Sequence, residues 1–255
     1  MKQGSTLGRS ARRPVPIRYR SLGLGPMADW DAAIVIPAKD EQKRLHACLD
    51  SARTAIRMAR AMTVGIVLIV NDTRDATAER GTAWAVDQGV VPFVLIDCAF
   101  APTEAGAGAA RRVGLDAACE HLAAHGALLT TDADTLMRDD WVIRNLAELR
   151  GAELICGTVL RRADEARALP AAIGAHGCIE ADYATASIEL VARLDPRPLD
   201  PPPAHHKAAG ASLAVSRRVY EAVDGMPARP ISEDRAFAER VEAHDFRVRY
   251  SSAVI

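Results

Sequence analysis

Aromatic side chains are scarce in this chain of 255 residues, at 4% of the total, so stacking platforms for single-stranded nucleic acid have little to be built from. A charge of one sign is missing too. Lys and Arg number 32 against 33 Asp and Glu, a formal net charge of −1, which argues against a nucleic acid or other polyanion as the main partner. No apolar run approaches the roughly 18 to 20 residues that span a bilayer. The sequence thus offers no transmembrane segment, and any membrane contact is expected to be peripheral. Cys48, Cys98, Cys119, Cys156 and Cys178 are an odd set without C-x-x-C spacing, which disfavours a disulfide framework and a zinc ribbon alike. They read as small buried hydrophobes in a reducing, cytoplasmic setting. No internal repeat is present.

What is there is the balance of a globular protein, 49% hydrophobic and 25% charged, in a chain long enough for a substantial core. The charge is unevenly spread. Lys2, Arg9, Arg12, Arg13, Arg18 and Arg20 fall before Pro26 with no acid among them. Without an apolar core this is not a secretory signal; a transit peptide or an anionic-surface tail has this composition. Residues 1–28 are expected to be a disordered basic extension, with Met27 an alternative start.

Apolar runs at Ala32–Ile36 and Gly65–Val70 read as buried parallel strands, the first ended by Pro37 and the second by Asn71-Asp72. Glu41–Met62 between them has apolar residues at helical spacing. Further strands are expected at Val90–Ile96 and Ala127–Thr131, with helices at Ala76–Val86 and Ala109–Ala124. This alternation predicts an α/β domain, a mainly parallel central sheet with helices on both faces. Beyond Trp141 the rhythm changes. Strands are expected at Glu153–Val159, Ala208–Val215 and Arg247–Ser251, and helices at Ile179–Leu194 and Asp234–Ala243. Asp195–Pro203, with five prolines, is expected to be a stiff connector.

In open α/β sheets ligands bind beyond the carboxyl ends of the strands. Successive strand ends here carry Lys39-Asp40-Glu41, then Asn71, Asp72 and Asp75, then Asp97 and a Gly106-Ala107-Gly108 loop before Arg111 and Arg112, then Asp132 and Asp134. Two aspartates at i and i+2 on a chain leaving a strand can face one side, and hard carboxylate oxygens suit Mg²⁺ or Mn²⁺.

The order of these segments resembles the family 2 glycosyltransferases of the GT-A fold. The matching pieces are Ile36-Pro37-Ala38-Lys39-Asp40-Glu41, the run from Val70 to Thr77, Gly108 to Gly114, Thr131-Asp132-Ala133-Asp134, and Ser232-Glu233-Asp234 before a helix. The resemblance covers Ala32 to the C-terminus. It implies one GT-A domain over 29–255, with a nucleotide-binding half at 29–140 and an acceptor-binding half at 141–255. It also implies a metal-dependent, inverting transfer from a nucleoside-diphosphate sugar to an acceptor hydroxyl.

By the same resemblance Pro37, Ala38 and Glu41 line the nucleotide pocket, and Asn71 or Asp72 meets the base or ribose. Arg111 contacts the nucleotide or its phosphates. Asp132 binds the ribose or sugar and shares with Asp134 the Mn²⁺ or Mg²⁺ ion. Asp234, with Glu233 beside it, is the general base. Enzymes of this fold often add a ligand from a C-terminal segment. Here either His205 or His206, also candidate lid or acceptor contacts, takes that place, or the chain is cut short. A sugar nucleotidyltransferase opens with a Gly-rich loop after its first strand, which Pro37-Ala38-Lys39-Asp40-Glu41 lacks; an inert nucleotide-sugar-binding module is the non-enzymatic alternative.

Overall fold

A computed structural model describes residues 13–89, 91–196, 200, 205 and 207–255. Its centre is four strands that run in parallel where they neighbour one another: β2 (Trp30–Ala38), β3 (Val64–Asn71), β4 (Phe93–Ala99) and β5 (Leu122–Thr130). Their unbroken apolar runs fit strands covered on both faces, and successive residues of β2 serve opposite cores. Ala33 and Val35 join one hydrophobic cluster, while Ala32, Ile34 and Ile36 join the other.

Three helices follow these strands: α1 (Leu45–Met58), α2 (Thr77–Gln88) and α3 (Ala107–Cys119). Leu45, Cys48, Leu49 and Ala52 of α1 are buried at helical spacing in one cluster, and Ala110, Leu115 and Ala118 of α3 in the other. Helix α3 ends at Cys119, earlier than its apolar spacing suggests. Residues from Leu122 on belong to β5, and the His121 carbonyl accepts the Trp30 N–H at 3.0 Å.

The second half adds α4 (Trp141–Glu148), β6 (Leu154–Gly157), α5 (Ala163–Ala168), α6 (Ala171–Leu194), β7 (Leu213–Ser216), α7 (Arg217–Ala222), α8 (Glu233–Ala243) and β8 (Val248–Ser251). β7 pairs antiparallel with β5 and with β6, while β6 pairs parallel with β8. β6 therefore runs in the direction of β5, and its carboxyl end opens on the same rim of the sheet.

Of the expected disordered extension, residues 1–12 lie outside the described residues, and part of the rest is ordered. Arg18–Leu24 form a strand, β1, antiparallel to β4 at the sheet edge, so the order is β1-β4-β3-β2-β5-β7-β6-β8. Its side chains are almost all exposed, and main-chain bonding needs no apolar pattern to hold an edge strand. Arg18 also pairs with Asp97 at 2.9 Å. Asp97 lies inside β4 rather than beyond it and belongs to this edge contact. Helix α6 starts eight residues before the expected Ile179, directly after Pro170, a residue suited to a helix start. Most of the proline-rich connector and Val90 lie outside the described residues. No helix among the described residues is long and apolar enough to cross a membrane.

Candidate active site

Beyond the carboxyl ends of β2, β3 and β5 lies a cleft of about 390 Å³. Pro37, Ala38, Lys39 and Glu41 line it from the end of β2 and the turn after it, Asn71 from β3, and Asp132 to Asp134 from the turn after β5. Gly106 and Ala107 bring the start of α3, and Gly210, Glu233 and Asp234 come from the second half of the chain. The sequence reading thus converges on one place from segments nearly 200 residues apart. The first N–H groups of α3, which have no partner within the helix, suit an anion there.

The loops after β2 and β3 are laced together. The Thr73 hydroxyl accepts the Asp40 N–H at 2.8 Å, and Asp40 in turn accepts the Arg74 N–H at 2.7 Å. Asp75 accepts the Gln42 N–H at 3.1 Å and the Thr77 N–H at 3.0 Å. Desolvation works to raise the Asp75 carboxyl pKa, but hydrogen bonds from Thr77, Gln42 and Thr73 outweigh it and hold the group below its ordinary value. Asp40 and Asp75 are thereby part of the scaffold.

The turn carrying Asp132 and Asp134 is pinned to α1. Thr135 N–H closes it on the Asp132 carbonyl at 3.0 Å, and that carbonyl also accepts the buried Cys48 thiol at 3.4 Å. Ser51 Oγ accepts the Met137 N–H at 3.1 Å. Cys48 was expected only to fill space; burial pushes its thiol pKa up, so it stays a protonated donor.

Arg111 organises the floor. Its side chain is 3% exposed, yet its Nε donates to Thr130 Oγ1 at 3.1 Å, Nη2 to Asp132 Oδ1 and Nη1 to Glu233 Oε1. Arg111 also lines the cleft, so the residue expected at the nucleotide or its phosphates is held there by the two acids. Glu233 is buried and held by Arg111. Two glycines permit the arrangement. A Cβ on Gly210 would meet Arg111 Cζ at 2.4 Å, and one on Gly108 would meet the Arg229 carbonyl oxygen at 2.3 Å.

Asp234 is half-buried at the start of α8 and accepts the Gly210 N–H at 3.0 Å and the Arg235 N–H at 2.7 Å. Asp134 is exposed. Arg44, unforeseen in the sequence, donates to Asp134 at 3.2 Å and grips Glu41 through two bonds of 2.8 and 2.9 Å. The i, i+3 spacing of Glu41 and Arg44 was the available signal.

Carboxylates outnumber cations at the cleft: Glu41, Asp132, Asp134, Glu233 and Asp234 line it with Lys39 and Arg111, and Arg44 pairs with Glu41 and Asp134 from beside it. Desolvation raises the Asp132 pKa; Arg111 opposes this, while the charges of Asp134 and Asp234 add to it. Glu41 is raised by desolvation as well, against Arg44 and with Asp134 and Asp75. Among the described residues no group of three or more His, Cys, Asp or Glu could hold a metal by itself. The Asp132 and Asp134 pair fits a hard divalent cation that takes its other ligands from phosphate oxygens and water.

Other expected residues stand elsewhere. Asp72 does not line the cleft; its carboxylate accepts the Phe100 N–H at 3.0 Å and the Asn71 amide at 3.3 Å, in a left-handed backbone with φ of 49°. Asn71 is thus the residue of that pair that meets the cleft. Arg112 turns away, onto Asp116 and the carbonyls of Asp224 and Met226. His205 sits by β8, with Nε2 3.4 Å from the Ser251 carbonyl and its ring edge-on to Tyr250, and is not in the cleft wall. His206 lies outside the described residues.

No family model matches the sequence, and no curated protein sequence does. Among solved structures the chain is similar to the mannosyltransferase PcManGT from Pyrobaculum calidifontis, in complex with GDP-Man and Mn²⁺, with a TM-score of 0.59 and 16% identity over 90% of this chain and 56% of that one. It is also similar to S. aureus TarS 1-349 in complex with UDP-GlcNAc, with a TM-score of 0.54 and 12% identity over 86% of this chain and 55% of that one. The chain therefore spans little more than half the length of these structures. The likeness shows the GT-A fold.

Proposed function

We propose that this chain is a metal-dependent, inverting glycosyltransferase that moves a sugar from a nucleoside-diphosphate donor to an acceptor hydroxyl. The observation that carries the reading is a single buried guanidinium, Arg111, bridging the Asp132-Asp134 turn to the Glu233-Asp234 helix start within one cleft. Residues 29–140 bind the nucleotide in this reading, and residues 141–255 present the acceptor.

Pro37, Ala38, Glu41 and Asn71 hold the nucleoside, and the start of α3 faces the diphosphate. Asp132 and Asp134 would hold Mn²⁺ or Mg²⁺, which when bound would supply Lewis-acid stabilisation of the charge that grows on the leaving diphosphate. The excess of carboxylates in the cleft would otherwise repel a diphosphate. Asp234 accepts the proton of the acceptor hydroxyl as its oxygen bonds to the anomeric carbon and the bond to the diphosphate breaks. One displacement inverts that carbon. Arg111 and Glu233 position Asp132 and the start of α8 rather than touching substrate.

The test is release of nucleoside diphosphate across UDP-, GDP- and TDP-sugars with Mn²⁺, Mg²⁺ or chelator, with the anomeric configuration of the product read by proton NMR. Turnover of one donor with inversion supports the reading. A product of retained configuration, or nucleotidyl transfer instead, contradicts it.

A further inference from the structure

We propose that helix α6 is the contact through which two copies of this chain pair, antiparallel, about a two-fold axis beside Ala186. Such pairing stands apart from the transferase reading, and its test needs no substrate.

α6 is a helix of 24 residues with none of them buried. A surface helix ordinarily turns its apolar stripe to the core. Here an apolar stripe points outward. At about 100° a residue, Ile179, Tyr183, Ala186, Leu190 and Leu194 fall on one face, within roughly 80° of one another. Its large side chains stand far out in solvent: Ile179 is 67% exposed, Tyr183 75%, Leu190 58% and Leu194 76%. Four of the five half-buried positions of the helix, Gly177, Ala184, Ile188 and Ala192, centre on the opposite face, so the stripe is the side turned away from the rest of the chain.

That stripe fits a second copy of itself. With two α6 helices antiparallel about an axis beside Ala186, Ile179 of one comes opposite Leu194 of the other, and Tyr183 opposite Leu190. The two alanines meet near the axis, where a small side chain lets the backbones approach. The overlap is about 16 residues, roughly 24 Å. A two-fold axis across such a pair sets the same flank of each helix side by side. On one flank stand Asp182 and Arg193, which make no ion pair among the described residues. In this register each Arg193 lies two residues, about 3 Å, from the level of the other copy's Asp182. Charges unmatched within one copy thus become two flanking ion pairs, the device that sets orientation in paired helices. A bilayer is the poorer occupant. Glu180, Asp182 and Glu189 outnumber Arg193, and His176 is set against Glu180 at 3.4 Å, whereas helices that lie on membranes carry Lys and Arg on the polar face.

The experiment is sedimentation velocity of the full chain up to about 300 μM, a range chosen for a contact smaller than a standard interface. It compares the wild type with Tyr183→Glu, Leu190→Glu, Asp182→Arg, and Asp182→Arg combined with Arg193→Asp. All four positions are exposed, so the variants are expected to keep the wild-type fold, as read by circular dichroism. The wild type should pass from monomer to dimer with a dissociation constant on the order of 1–100 μM. Either glutamate variant should stay monomeric throughout. Asp182→Arg alone should weaken pairing by about twofold to thirtyfold, the scale of two exposed ion pairs, and the double exchange should restore it to within about twofold of the wild type. A wild type that stays monomeric throughout overturns the proposal, as does a dimer that Leu190→Glu leaves intact. Pairing that the glutamates abolish but the charge exchange does not rescue overturns the antiparallel register. Pelleting of a monomeric wild type with phosphatidylcholine or phosphatidylglycerol vesicles, abolished in Leu190→Glu, would overturn it in favour of a bilayer.

Discussion

Arg111 donates to Asp132 on one side and to Glu233 on the other, so one buried guanidinium ties the turn after β5 to the first residue of α8, 101 residues further along the chain. Removing it would leave Glu233 buried without its cation. Breaking a buried ion pair by deleting one partner costs about 3–5 kcal/mol. Arg111→Met is therefore expected to lose stability on that scale in urea unfolding. Arg111→Lys, which keeps the charge but not the planar fork, should fall between it and the wild type.

Gly210→Ala tests the same brace from outside. The added Cβ would sit 2.4 Å from the guanidinium carbon, so Arg111 must shift away from its acids. Overpacking of this kind costs about 1–3 kcal/mol. A fall in melting temperature and a loss of donor turnover of more than about tenfold are expected. Unchanged turnover would show that the position of Arg111 is immaterial.

Asp132 gives a pH signature. Its carboxyl pKa is raised by desolvation, opposed by Arg111 and reinforced by Asp134 and Asp234, so the folded state binds this proton more readily than the unfolded state. Its contribution to stability is then full below the unfolded value of 3.8 and declines as pH rises through the raised folded value. The stability difference between Asp132→Asn and wild type should shift in favour of the variant as pH rises across that window. A difference that moves the other way would mean the native cleft favours the charged form.

Much of this site was legible because strand ends are marked in sequence. The apolar runs that become β2, β3 and β5 stop at Pro37, Asn71 and Asp132, and the parallel topology places those stops on one rim. The buried bridge from Arg111 to Asp132 and Glu233 was not legible, since nothing in the spacing of residues 111, 132 and 233 marks it. β1 escaped for a different reason: an edge strand held by main-chain bonds leaves no burial pattern. Asp72 and Arg112 look like site residues by position alone, but a positive φ turns the first toward the Phe100 N–H, and one step around α3 turns the second toward Asp116.

On the proposed function Arg44 would compete with the cation for Asp134, which it meets at 3.2 Å between exposed groups. Such pairs are worth about 0.2–1 kcal/mol. Arg44→Ala is expected to tighten Mn²⁺ binding by roughly 1.5- to 5-fold in the presence of nucleoside diphosphate, as read by calorimetry. Weaker binding would show that Arg44 helps hold the diphosphate instead.

The most direct test of the central claim is the rate of nucleoside-diphosphate release from the preferred sugar donor, with Mn²⁺ and with chelator, for wild type and Asp134→Asn. Asp134 is exposed, so the substitution is expected to leave the fold intact. The account predicts release that requires the cation in the wild type and falls by about a hundredfold or more in the variant. Release that continues undiminished in chelator, or that Asp134→Asn leaves unchanged, would contradict it.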